Sequence, residues 1–151
     1  GATDEWNYKS ELQWNLLQHP SHAGLKNCVQ QLNNLLRSNN AFFELQFETE
    51  GFEWVETNKR QEGVIAYKRK SRDFKEDVLV VMNMTPVPRH AFPIHVYGNK
   101  AWKEIFNSDN TSYWGVGDLF NNNIVVTAQE ENKDWVMLSL ELPALSAIVL
   151  K

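Results

Sequence analysis

The side chains in this sequence that could exchange protons come mostly in pairs. Asp4 and Glu5, Glu48 and Glu50, Glu53 and Glu56, and Glu130 and Glu131 are each close enough along the chain to be imagined as an acid and a base. Acid–base work needs surroundings that drive two carboxyl pKa values apart. These pairs lie at loop ends and on alternating strand patterns, where a carboxylate is ordinarily solvated, so none is expected to be catalytic. His19, His22, His90 and His95 have no spacing with cysteine or acids that suits a metal site or a triad. Ser139 and Ser146 lack the flanking glycines of a nucleophile elbow. Cys28 is the single cysteine, which excludes an internal disulfide framework, and it sits on an apolar helical stripe as a core residue would. No metal and no cofactor is expected.

The elements that would position any site follow from composition and periodicity. The 151 residues are 42% hydrophobic and 23% charged, with a formal charge of −4 from 15 basic and 19 acidic side chains. That composition belongs to a globular domain with a core of its own. It offers neither a basic footprint for nucleic acid nor an apolar run long enough for a membrane. The polar start, Gly1-Ala2-Thr3-Asp4, has no secretory pattern, and a soluble, cytoplasmic protein is expected.

Over residues 22–37 the apolar positions Leu25, Cys28, Val29, Leu32, Leu35 and Leu36 fall on one helical stripe, with Ser21 as N-cap and Ser38-Asn39-Asn40 as stop. Beyond residue 50 the texture changes to short β runs broken by turn chemistry: 52–56, 64–69, 78–84, 92–97, 101–106, 124–128, 136–142 and 147–151. About eight strands at roughly ten-residue spacing predict an antiparallel β-sandwich. Val78-Leu79-Val80-Val81-Met82 does not alternate, as a central strand covered on both faces would not. The fold class is therefore mainly β, preceded by a lone amphipathic helix that needs a large partner surface.

Several strings explain that helix. They are Glu5-Trp6-Asn7, Leu12-Gln13-Trp14-Asn15-Leu16-Leu17, Glu50-Gly51-Phe52-Glu53-Trp54, Asn83-Met84-Thr85-Pro86-Val87-Pro88-Arg89 and Trp102-Lys103-Glu104-Ile105-Phe106-Asn107-Ser108-Asp109. Read in order, they resemble the C-terminal end of glycogen branching enzymes of glycoside hydrolase family 13. The resemblance runs from about residue 5 to the end. It differs from the family pattern at Tyr8-Lys9, at the reduced glycine loop Trp114-Gly115-Val116-Gly117-Asp118, and at Pro143-Ala144.

The resemblance implies that residues 1–46 are the tail of a catalytic (β/α)8 barrel, the loop after its eighth strand and its last helix, and that 47–151 form the C-terminal sandwich. Such an enzyme cuts an α-1,4-glucan and rejoins the piece to a sugar 6-hydroxyl. Retention of configuration requires a carboxylate nucleophile about 5 Å from a second carboxylic acid. In a barrel those groups sit at the C-terminal ends of strands, which for this family lie upstream of the present chain, so the fragment is expected to be inactive. The implied partners are α-glucan and the missing barrel; because the helical stripe has lost its neighbours, either docking of the helix onto the sandwich or self-association through it is a further expectation.

Candidate glucan contacts are then aromatic, since sugars present apolar C–H faces to indole and phenol rings. There are six tryptophans. Alternation puts Phe52, Trp54 and Glu56 on one strand face, and a carboxylate there argues for an outer face with Trp54 as a platform. Tyr113 and Trp114 sit in the long 107–123 connection, where they either grip a glucan or pin the loop. Trp6 and Asn7, by resemblance, lie on the loop facing the barrel's mouth. Trp14, Trp102 and Trp135 border apolar runs and are expected to be packing residues. The alternative is a free-standing β-sandwich binding or interaction module. It leaves the orphan helix and the Asn83–Pro88 string unexplained, and an upstream (β/α)8 pattern in the reading frame, about 250 residues before insertions, would exclude it.

Overall fold

In the computed structural model the described residues are 7–56, 60–98, 100–128 and 134–151. One long helix, α1 (Pro20–Ser38), is followed by eight strands: β1 (Phe52–Glu56), β2 (Val64–Lys70), β3 (Asp77–Asn83), β4 (Arg89–Tyr97), β5 (Glu104–Asn107), β6 (Val125–Ala128), β7 (Trp135–Leu142) and β8 (Ser146–Leu150). A short 3-10 turn over Trp14–Gln18 leads into α1. The strands form two antiparallel sheets, one in the order β1-β2-β3-β8-β5 and one in the order β4-β7-β6. Each predicted strand is present, with ends shifted by a few residues. Among the described residues no helix is long and apolar enough to cross a membrane.

The main core lies between the sheets. In β7 the alternation buries Val136, Leu138, Leu140 and Leu142 against Ile94 and Val96 of β4 and against Leu79 and Val81 of β3. β3 is buried on both sides, as its unbroken apolar run predicts. Leu79 and Val81 face the second sheet, while Val78 and Val80 face α1 and form a smaller core with Ala41, Phe106 and Val149. The molecule is thus three layers: helix, five-stranded sheet, three-stranded sheet.

α1 begins earlier than the stripe suggests. Its N-cap is His19, not Ser21, because Pro20 supplies a helix-ready φ at the first turn and needs no side-chain cap. The helix rests on the sheet through Cys28 and Leu35 and on the loop after β5 through Gly24. At 3.6 residues per turn, that face is centred about 90° around the helix from Leu25, Val29, Leu32 and Leu36. The latter four remain exposed. Under the C-terminal half of α1 the contact is incomplete, and a cleft of about 300 Å³ opens between Leu32, Leu35, Leu36 and the sheet residues Tyr67, Met82 and Val149.

Two of the three tryptophans expected to pack do not. Trp102 is buried in the main core, but Trp14 is largely exposed beside α1. Trp135 sits half-open on the solvent face of the three-stranded sheet, edge-on to Tyr97 at 5.8 Å. Flanking apolar residues mark a strand, but only the register says which face a ring takes.

Candidate functional site

The sequence of β1 puts Phe52 and Trp54 on the helix-side face of the sheet, and Val55 turns inward to the main core. β1 is an edge strand that nothing covers, so Trp54 stays 58% exposed. Its cross-strand partner is Tyr67. The indole stands edge-on to Phe52 at 4.9 Å and to Tyr67 at 6.2 Å, while Phe52 and Tyr67 stack at 5.3 Å. Burial pushes the Tyr67 phenol above its usual pKa, which marks it as the seated member of the trio. The result is a supported indole presented to solvent, the arrangement a flat amphipathic ring such as a hexose stacks on.

Trp54 lies on an outer face and not in the core beside Phe52, since no described element covers it. The alternation argument for Glu56 is broken. A bulge between Trp54 and Glu56 pairs Glu56 with Ala66, one place short of strict register; the Glu56 side chain lies outside the described residues. Glu53, on the opposite face, is ion-paired with Lys70 and lies 3.8 Å from Lys68, which is only 3% exposed and also donates to the Tyr97 carbonyl. Glu53 therefore compensates a buried cation.

Tyr113 and Trp114 end a 3-10 turn (Thr111–Tyr113) in the long connection after β5. Tyr113 is half-buried and stacks on Phe106 at 5.6 Å, pinning the loop to the sheet. Trp114 is exposed, in the left-handed region at φ 70°. Since β1 and β5 are the two edges of the five-stranded sheet, Trp54 and Trp114 are separated by about four strand spacings, roughly 19 Å, on the same helix-side face. The structure does not bring them together. Asn7 is exposed and closes a local turn, its Oδ1 accepting the Lys9 N–H at 3.0 Å; Trp6 lies outside the described residues.

Several of the remaining polar candidates are paired structurally. The Arg72 guanidinium donates to Glu48 at 2.9 Å, and His90 Nδ1 lies 2.6 Å from Glu141 Oε2. Ser146 donates to the Pro143 carbonyl at 2.7 Å. Burial raises the Cys28 thiol above its ordinary pKa, against nucleophilic use. Among the described residues no group of three His, Cys, Asp or Glu could hold a metal ion. Asp4, Glu5, Glu130 and Glu131 lie outside the described residues. Sequence reasoning missed Tyr67 as a support for Trp54, because pairing of 54 with 67 depends on a hairpin register that no local signal reports.

Comparison with known proteins agrees with this geometry. The family described as "Alpha amylase, C-terminal all-beta domain" matches residues 54–151, the portion that holds most of the two sheets. Curated relatives named 1,4-alpha-glucan branching enzyme GlgB extend further, into the helical segment. The protein from Aquifex aeolicus is 40% identical over 100% of this chain, that from Methylococcus capsulatus 39% over 98%, and that from Nitrosomonas eutropha 36% over 97%. This chain covers 24%, 20% and 20% of those proteins respectively, between a fifth and a quarter of their length. A family match over residues 54–151, together with branching-enzyme relatives 36–40% identical over 97–100% of the chain, shows that the chain belongs to the alpha-amylase C-terminal all-beta domain family, in the form carried by glycogen branching enzymes.

Proposed function

We propose that this chain is the terminal part of a 1,4-alpha-glucan branching enzyme of the cytoplasm, in which residues 1–46 complete a (β/α)8 barrel and 47–151 brace it and hold glucan. The observation that carries the reading is the extent of the likeness. The all-β family begins at residue 54, whereas the branching-enzyme relatives match the helical segment too. A self-contained binding module has no need of α1. The expected division of labour is that the barrel carries the carboxylates that break and remake glycosidic bonds, while this chain supplies support and the Trp54 platform, flanked by Phe52 and Tyr67.

Two outcomes test it. The isolated chain should form no α-1,6 linkages on amylose, and branching by this chain alone would overturn the assignment of catalysis elsewhere. In affinity electrophoresis through glycogen, the chain should be retarded, and Trp54→Ala should remove most of the retardation. Equal mobility of the two proteins would remove the platform from the proposal.

The exposed stripe Leu25, Val29, Leu32 and Leu36 is the face offered to the barrel. Among the described residues it is an exposed apolar patch, bordered at Leu25 and Val29 by Leu12, Trp14, Leu16 and Leu17. Sedimentation should therefore show association that the double substitution Leu32→Glu, Leu36→Glu abolishes. A monomer at all concentrations would count against this face as an interface.

A further inference from the structure

We infer that the cleft between α1 and the loop carrying Trp114 is a second glucan site, separate from Trp54, built for one or two sugar units rather than a long chain. The inference rests on reading the chain as part of an α-glucan enzyme. The cleft encloses about 390 Å³, near the lower end of small-ligand sites, which run from about 300 to 1,000 Å³. Ser21, His22, Leu25 and Cys28 of α1 line one wall, Leu25 at the border of the exposed stripe, and Ser108, Tyr113 and Trp114 line the other.

Two features of the loop bear on what this cleft presents. The first is Trp114 itself. A residue with a Cβ is held at φ 70°, where glycine is the comfortable choice, yet its side chain is 68% exposed. Phe74 and Leu145 are likewise exposed at positive φ, so it is the place of Trp114 in the cleft wall, more than its backbone, that makes its ring available to a ligand.

The second is how firmly the loop is held. Trp114 N–H donates to Thr111 O at 3.0 Å and Gly115 N–H to Asn110 O at 3.1 Å. The Asp109 carboxylate accepts the N–H groups of Val116 and Gly117 at 3.0 and 3.1 Å. α1 meets the loop so closely that a Cβ on Gly24 would come within 2.7–2.9 Å of the Tyr113 carbonyl and the Trp114 Cβ. The ring is thus preorganised, and binding need not order the loop.

The lining identifies the ligand class. No Lys, Arg, Asp or Glu among the described residues lines the cleft, so it has nothing to offer a phosphate or a charged peptide. An indole face with Leu25 and Cys28 beside two serine hydroxyls, an imidazole and a phenol suits a neutral polyhydroxylated ring, whose C–H face meets the apolar members while its hydroxyls exchange hydrogen bonds.

The test is a nuclear magnetic resonance titration of the chain with maltotriose, following the tryptophan indole N–H signals. The Trp114 signal should shift saturably. Trp114→Gly removes the ring and at the same time relieves the left-handed backbone, so the fold is kept; it should weaken maltotriose binding about tenfold or more. His22→Ala should weaken it by a smaller factor. Trp54→Ala should leave the Trp114 shifts unchanged. An unmoved Trp114 signal, or equal affinity in Trp114→Gly, would overturn the cleft. If Trp54→Ala alone abolishes glycogen retardation while the Trp114 signal stays silent, the cleft fails and the Trp54 platform stands. If neither site responds, glucan binding by this chain fails altogether.

Discussion

Asn83→Ala is expected to destabilise the fold by about 3–5 kcal/mol in chemical denaturation, more than any surface change in the chain. Asn83 ends β3 and is among the most buried polar side chains described. Its amide donates to the carbonyls of Val87 and Pro143, both at 2.9 Å. Its Oδ1 accepts the Thr85 N–H at 3.1 Å and the Thr85 hydroxyl at 2.8 Å. One side chain therefore closes the turn that follows β3 and ties it to the β7–β8 connection, where Leu145 N–H also donates to Thr85 O at 2.8 Å. Each lost bond costs on the order of 1 kcal/mol net, and buried groups left unpaired cost more. Asn83→Asp keeps size and acceptor while losing both donors and setting a carboxylate against two carbonyls, so it should be at least as damaging. A loss below about 1 kcal/mol in both variants would mean that the turn holds itself.

A comparable loss, about 2–5 kcal/mol, is expected for Leu140→Ala. Leu140 is fully buried between the sheets, opposite Phe92 of β4. Truncation removes apolar contact and leaves a void that two hydrogen-bonded sheets cannot easily collapse to fill. Val125→Ala, on exposed β6, is the control and should change stability by no more than about 0.5 kcal/mol. Equal midpoints for the two variants in urea would show that the core between the sheets does not set the stability.

The Asn83 network also accounts for a string that the sequence presents without a reason. Asn83-Met84-Thr85-Pro86-Val87-Pro88 is unusual enough to support the family resemblance, yet its physical purpose depends on Pro143, 60 residues away in the chain. The strand pattern needed no such help. β7 alternates because one face is core and the other is not, and β3 does not alternate because both faces are covered. Those facts are written locally in residue order.

Site residues were legible in kind and not in place. Trp54 could be assigned to a strand face by alternation. Whether that face was covered depended on α1, which crosses the sheet without reaching its edge. The bulge after Trp54, which shifts the backbone register at Glu56, is invisible to a two-residue period. Tyr113 and Trp114 are sequence neighbours with opposite fates, one stacked on Phe106 and one in solvent, because the backbone turns left-handed between them.

By itself, then, the sequence determined the eight strands, the amphipathic helix and the family. Each of these is set by spacing and side-chain type within a few residues. The tertiary structure alone decided which face of α1 meets the sheet, which tryptophans reach solvent, and that Trp54 and Trp114 stand at opposite edges. Those outcomes depend on register and layer packing, and both arise from contacts between residues far apart in the chain, where no local period can record them.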